Sequence, residues 1–268
     1  IFCVPAVFAD NNDAVDQGST AQTTRQSKNW LKFSSAPELP VPEGLAGAFI
    51  GRDDNVIIVA GGFNYSNGEK SYYDNIYVLK EIDGYTKWHQ AGNLPYPAAY
   101  GAAVSTPQGL LCIGGEDANN IRTGVFFLNW DGQTQSVVFD ESPPDLPEPR
   151  TRLCATMLDG YIYITAGEGP KGPTNDFKAL NLEHVISSQW QDLPALPGPG
   201  RKDSVLVGQH IEEDGFVYLL GGQTENKYLT DAYRYNPHEQ SWKSVAAMPR
   251  AASSAPAIAA GQSHILLF

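Results

Sequence analysis

At 268 residues the chain has room for two average domains or one large all-β domain. Its 26 glycines, 19 prolines and only 18% charged residues favour many short strands joined by tight turns over long amphipathic helices. A formal net charge of -12, a pI near 4.7 and the lack of any Lys/Arg run exclude nucleic acid as the expected partner, and no stretch reaches the roughly 20 apolar residues of a membrane-spanning helix.

The chain opens with IFCVPAVFAD, which reads as the tail of an apolar export signal, with a cleavage site between Ala9 and Asp10. The alternative is a buried N-terminal strand ahead of a linker. Export implies a periplasmic or secreted protein. Residues 10–28 are rich in Asn, Asp, Gln, Ser and Thr, a composition expected of a disordered leader. Cys112 and Cys154 each sit in an apolar, strand-like run and are expected to be small buried hydrophobes. A disulfide between them is conceivable in an oxidising compartment. No Cys/His cluster has zinc-ligand spacing, so neither metal nor cofactor is expected.

From about residue 29 the sequence repeats. Apolar runs ending in small residues recur as NVIIVAGG, GLLCIGGE, YIYITAGE and FVYLLGGQ, and their glycines (or Ala166) stand at 61, 114, 166 and 221, a period of 52 to 55 residues. An apolar-proline pair keeps the same period at Pro40, Pro95, Pro147, Pro197 and Pro249. Trp30, Trp88, Trp190 and Trp242 each precede one of these prolines by seven to ten residues, and the second unit lacks such a tryptophan. Each unit runs through a small-residue strand, the apolar strand, an aromatic strand and a fourth, tryptophan-bearing strand. Four strands repeated about every fifty residues resemble the Kelch repeat, whose units are the blades of a β-propeller.

The expected fold is therefore an all-β Kelch-type β-propeller over 29–268, with blades at about 44–97, 98–149, 150–199 and 200–249 and partial blades at 29–43 and 250–268. Residues 29–40 read as a lone fourth strand. Six blades are expected in a full-length parent, whose C-terminal segment would return to pair with that strand.

In a four-stranded meander the turn after the second strand and the link into the next blade emerge at the same end of the ring. Those places hold Asn64, Glu116, Glu168 and Gln223 on one side, and Tyr100, Arg152, Arg201, Asp203 and Arg250 on the other. Such a collar suits an acidic sugar, because guanidinium groups pair with a carboxylate while glutamates exchange protons with hydroxyls. The alternative is that these are solvated or salt-bridged rim charges.

The passage PEGLAGAFIGRDDNVIIVAGGFN, with YDNIYVL and LPYPAAYGAAVSTPQGLLCIGGED after it, resembles blades of bacterial N-acetylneuraminate (sialic acid) mutarotases. GRKDSVLV and YRYNPHEQSWKSVAAMP resemble an early blade but follow later, which is the order of the circularly permuted group of that family. The resemblance implies a six-bladed, exported isomerase that needs no cofactor. The family motif, Gly-Glu, five residues, then Arg-Thr, is matched at Gly115-Glu116 and Arg122-Thr123. Blade order places the family's main catalytic glutamate beyond residue 268, which makes Glu116 a local match.

Within the chain the catalytic candidates are Glu116 and Glu168. The substrate-binding candidates are Arg152, Arg201, Asp203, Arg250, Arg122, Asn64 and Gln223. The expected partner is a small acidic sugar, and a homodimer is compatible with the sequence. A non-catalytic exported propeller that binds a glycan or a protein is the competing reading. Sialidase-type Ser-x-Asp boxes do not occur, and the five histidines share no locus that would serve a copper oxidase.

Overall fold

The computed structural model describes residues 36–66, 68–82, 85–262 and 264–268, and the backbone of 2–5. It is all-β, with no helix among the described residues. Four sheets of four antiparallel strands occupy 49–93, 102–140, 154–193 and 205–245, each a meander with neighbouring strands paired in chain order. These are the blades of a Kelch-type β-propeller. In the first, Phe49–Asp53 is the inner strand, followed by Val56–Ala60, Asn75–Ile82 and Tyr85–Asn93.

Period-two alternation explains why the second strand of each blade is a continuous apolar run. Strand Gly109–Ile113 is buried throughout. Leu110 and Cys112 join Phe49, Ile58 and Val78 of the first blade, whereas Leu111 and Ile113 join Leu153, Ile162 and Ile164 of the third. Both faces of the strand are interior, so neither face has use for a polar residue. Two further clusters repeat the arrangement between the third and fourth blades and between the fourth and the chain's last two strands.

Small residues on the inner strands let successive blades approach closely. A Cβ on Gly51 would fall 2.3 Å from the Leu110 side chain of the next blade. The glycine pair ends the second strand in backbone space that L side chains rarely adopt, with Gly114 at φ 62° and Gly115 at φ 105°. On the outside, Trp88, Trp190 and Trp242 each donate the indole N–H to a proline carbonyl, those of Pro37, Pro144 and Pro194. Trp88 and Trp242 lie on fourth strands, and Trp190 directly precedes its own. For Trp190 and Trp242 the acceptor belongs to the preceding blade, so the tryptophans bridge blades through a hydrogen bond as well as by filling space.

At the end of the chain, Ala257–Ala260 and His264–Leu267 begin a fifth sheet, and Phe2–Pro5 pairs antiparallel with His264–Leu267 as its third strand. Of the stretch read as the end of an export signal, Phe2–Pro5 is described, and it is a sheet strand. The cleavage position at Ala9 and Asp10, the leader at 10–28 and Trp30 lie outside the described residues. Of the lone fourth strand expected over 29–40, residues 36–40 are irregular. Cys112 and Cys154 are both free and buried, and burial holds both thiols above their usual range, Cys154 at about 12.

Candidate functional site

Each blade is led in by three residues, and the triplets are in register: Leu45-Ala46-Gly47, Ala98-Ala99-Tyr100, Arg150-Thr151-Arg152, Arg201-Lys202-Asp203 and Ala252-Ser253-Ser254. The three positions do different work.

The first position latches one blade to the last. The carbonyls of Ala98, Arg150, Arg201 and Ala252 accept the N–H of Gly62, Gly115, Gly167 and Gly222 at 2.7 to 2.8 Å. Two of these residues turn a guanidinium into the protein. Arg150 is bidentate on Asp176, at 2.6 Å to each oxygen, and Arg201 is bidentate on Asp231, at 2.7 and 2.8 Å. Arg201 is fully buried.

The third position builds a run of backbone hydrogen bonds from each blade to the next. The N–H of Tyr100 donates to the Gly47 carbonyl, that of Arg152 to Tyr100, that of Asp203 to Arg152 and that of Ser254 to Asp203, at 2.7 to 3.0 Å. All five residues are left-handed, with φ between 53° and 63°. For non-glycine residues this costs roughly 1 kcal/mol each, offset by the bond each N–H makes across the blade interface. The result is a belt that sets the side chains of Tyr100, Arg152, Asp203 and Ser254 side by side.

The middle position reaches back to the preceding blade. Thr151 donates to Glu116 Oε2 at 2.9 Å, and Lys202 bonds Glu168 in the equivalent way one blade later.

Glu116 is the best-furnished carboxylate of this region. Its Oε1 accepts the Tyr72 hydroxyl at 2.8 Å, and the Lys70 ammonium lies 3.6 Å from the same oxygen. Lys70 and Tyr72 come from a hairpin, Phe63–Ser66 paired with Glu69–Tyr72, inserted after the first glycine pair. Burial, and then the hydrogen bond and charge of Glu116, push the Tyr72 phenol well above its usual range, so it stays a neutral donor. The Glu116 side chain is 19% exposed, within reach of a ligand.

Arg152 lies over the Tyr100 ring, 3.8 Å from its centroid, and contacts Asp203 Oδ2 at 3.5 Å. Burial opposes its charge, but Asp203, Tyr100 and Glu116 outweigh that and hold the guanidinium protonated. Arg150 and Arg201 are locked bidentately, whereas Arg152 has a long contact to its carboxylate and a partly exposed side chain. It is the guanidinium placed to receive an anion. Gln223 donates to the same Asp203 oxygen at 2.7 Å and steadies it.

The structure therefore groups Glu116, Arg152, Asp203 and Gln223 around the Tyr100 and Thr151 backbone. Other expected site residues fall elsewhere. Arg201, expected to bind substrate, is an interior clamp, because its register is that of Arg150 and not Arg152. Asn64 lies one residue past the register of Glu116, which Phe63 occupies through its bridge to Ala46; Asn64 is buried, accepting from Tyr73 and donating to the Gly44 carbonyl. Arg122 pairs with Asp117 and stacks on Tyr96, and so turns away from the Glu116 carboxylate that its motif spacing suggested. Arg250 stands two residues ahead of the triplet and lines a cleft of about 290 Å³ with Met248, Ala255 and Phe268. Glu168 belongs to the next blade and is neutralised by Lys202. Lys70, Tyr72, Thr151 and Lys202 were missed from sequence, though the RTR and RKD triplets carry the signal for the last two.

A family model described as the KLHDC2/KLHL20/DRC7 Kelch-repeats domain matches residues 54–268. Curated relatives named N-acetylneuraminate epimerase are also similar. The one from Brucella suis is 38% identical over 128 residues, covering 41% of this chain and 32% of the relative. That from Vibrio cholerae is 35% identical over 127 residues, covering 41% and 32%. That from Yersinia enterocolitica is 32% identical over 141 residues, covering 44% and 33%. The chain thus matches about a third of the length of these curated relatives. With four Kelch-type blades in place and the family model spanning most of the sequence, the chain belongs to the KLHDC2/KLHL20/DRC7 Kelch-repeats domain family.

Proposed function

We propose that this protein interconverts the anomers of N-acetylneuraminate, or of a related acidic sugar, by cofactor-free acid/base catalysis. The observation that carries this reading is the Glu116 carboxylate, which accepts two O–H bonds from Tyr72 and Thr151 at the belt that holds Arg152. The curated relatives named N-acetylneuraminate epimerase support the substrate class. Arg152 receives the sugar carboxylate, which fixes the anomeric carbon beside it. Glu116 takes the proton of the anomeric hydroxyl, the ring C–O bond breaks, and the anomeric carbon becomes a ketone as the ring oxygen is protonated. Rotation and reclosure on the other face, with the same protons returned, give the second anomer. Asp203 and Gln223 orient Arg152. The VFA–D sequence at residues 7–10 supports placing the activity in the periplasm or outside the cell.

Proton NMR on freshly released α sugar tests this. The expected result is equilibration faster than in buffer, abolished by Glu116→Gln. Equilibration at the buffer rate, with the sugar still bound, would leave a glycan-binding propeller without catalysis.

A further inference from the structure

Ring opening needs a proton donor as well as a base, and the candidates above supply only the base. The hairpin inserted in the first blade brings a second titratable group to Glu116. Lys70 Nζ lies 3.6 Å from Glu116 Oε1, and Tyr72 spans the two, its oxygen accepting from Lys70 at 2.6 Å and its proton directed to Glu116 at 2.8 Å. An ammonium has three N–H donors and no acceptor, so the single Tyr72 proton has only the Glu116 side to go to. The Lys70 ammonium is further held by the rings of Phe63, Tyr72 and Tyr100, whose centroids lie 4.4, 4.5 and 4.9 Å away. Its side chain is 28% exposed, so a ligand reaches it.

The geometry points to Lys70 as the acid that protonates the ring oxygen of the sugar, working as a pair with Glu116. This rests on the anomer-interconversion reading and completes it. The anomeric hydroxyl and the ring oxygen are bonded to one carbon, so a base and an acid a few ångströms apart can engage both at once. In the opening step Glu116 removes the hydroxyl proton, the C–O ring bond breaks, and a Lys70 N–H proton passes to the departing oxygen. An alkoxide is a stronger base than a lysine amine, so that transfer runs downhill once the bond has stretched. The open-chain state then faces a protonated Glu116 and a neutral Lys70. These are the forms reclosure needs, since Lys70 takes the proton back as the ring oxygen attacks and Glu116 returns its own to the ketone oxygen. Each cycle balances with no outside proton. Tyr72 is the positioning residue that holds the pair at its separation.

The test follows anomer equilibration by NMR for the wild type, Glu116→Gln, Lys70→Met and Lys70→Arg. A guanidinium keeps the charge and reach of lysine but does not give up a proton. Both Lys70 variants are therefore expected to lose roughly 100-fold or more of the catalysed rate. Plotted against the deuterium fraction of the solvent, the wild-type rate should bow, as two protons in flight require, and Lys70→Met should give a straight line. Lys70→Arg at the wild-type rate, with Glu116→Gln inactive, would overturn the role of Lys70 and leave that of Glu116. A wild-type rate no faster than buffer would sink both. If the Lys70 variants fail to fold, a straight wild-type isotope plot alone overturns the two-proton pair.

Discussion

Arg152 and Asp203 hold the same place in successive blades and meet twice. The Asp203 N–H donates to the Arg152 carbonyl at 3.0 Å, and the Arg152 guanidinium reaches Asp203 Oδ2 at 3.5 Å. The backbone bond does the structural work and the side-chain contact is loose, so the two are separable by mutation. Arg152→Ala leaves the buried Asp203 carboxylate with Gln223 as its side-chain donor and should cost about 1 to 2 kcal/mol of stability. The same change should weaken binding of an acidic sugar by about 1.5 to 3 kcal/mol, the range for hydrogen bonds to a charged group. Urea denaturation and calorimetric titration measure the two effects, and a large loss of stability with unchanged affinity would count against the site.

The Arg201 clamp behaves in the opposite way. Its guanidinium is fully buried while the Asp231 side chain is 33% exposed. Asp231→Ala strands a charge in the interior and should cost about 3 kcal/mol, the low end for breaking a buried pair because the removed carboxylate is partly solvated. Arg201→Lys cannot restore the bidentate fork and should remain destabilised. A melting curve that matches wild type for Asp231→Ala would show the clamp to be dispensable.

The same pair sets an acid limit. Burial works to raise the Asp231 carboxyl, but the bonds and charge of Arg201, with the Tyr233 hydroxyl, outweigh it and hold the group below the ordinary aspartate range. A depressed folded-state value means that the stabilisation is fully present above the unfolded aspartate range and is lost as pH falls through the folded value. Wild-type stability should therefore drop more steeply than that of Asp231→Asn as the pH is lowered below about 4. Denaturation midpoints collected from pH 6 to pH 2.5 would show the two curves converging at the acid end.

The difference between these two arginines marks the limit of what was legible in the sequence. The repeat was legible because its markers are local and periodic: glycine pairs, prolines and tryptophans keep their spacing whatever the loops do. Site membership turns on single-residue register. RTR at 150–152 and RKD at 201–203 align so that Arg201 matches the interior Arg150, while Arg152 matches Asp203. A period known only to within a few residues does not separate the two. Asn64 was misplaced by one residue for the same reason. Lys70 and Tyr72 lie on an inserted hairpin outside the repeat, and their partner Glu116 is more than 40 residues away, so only folding brings them together.

Removing a tryptophan bridge should weaken the joint between two blades. Trp190 donates to the Pro144 carbonyl at 3.0 Å and packs with the cluster shared by the second and third blades. Trp190→Phe keeps most of the apolar area and loses the bond, which should cost about 1 kcal/mol. Trp190→Ala also opens a cavity and should cost about 3 kcal/mol or more. Equal losses for both variants would mean that the hydrogen bond carries the joint.

Glu116 and Glu168 occupy equivalent positions in successive blades, yet their surroundings predict opposite outcomes. Glu116 accepts hydroxyl protons from Tyr72 and Thr151, whereas Glu168 is tied to the Lys202 ammonium. A base needs an accessible carboxylate oxygen beside the group that binds the substrate, and the Arg152 triplet supplies that group to Glu116. Glu116→Gln keeps the shape and one acceptor oxygen, with its NH2 a donor in place of the second, while removing the base, so the rate of anomer equilibration should fall about 100-fold or more. Glu168→Gln loses a partly exposed ion pair away from the Arg152 guanidinium and should keep the rate within about threefold. Measured together by NMR, the two variants separate a single catalytic carboxylate from a ring of interchangeable rim charges. Comparable losses in both, or a larger loss for Glu168→Gln, would move the base one blade along and leave Arg152 without a catalytic partner.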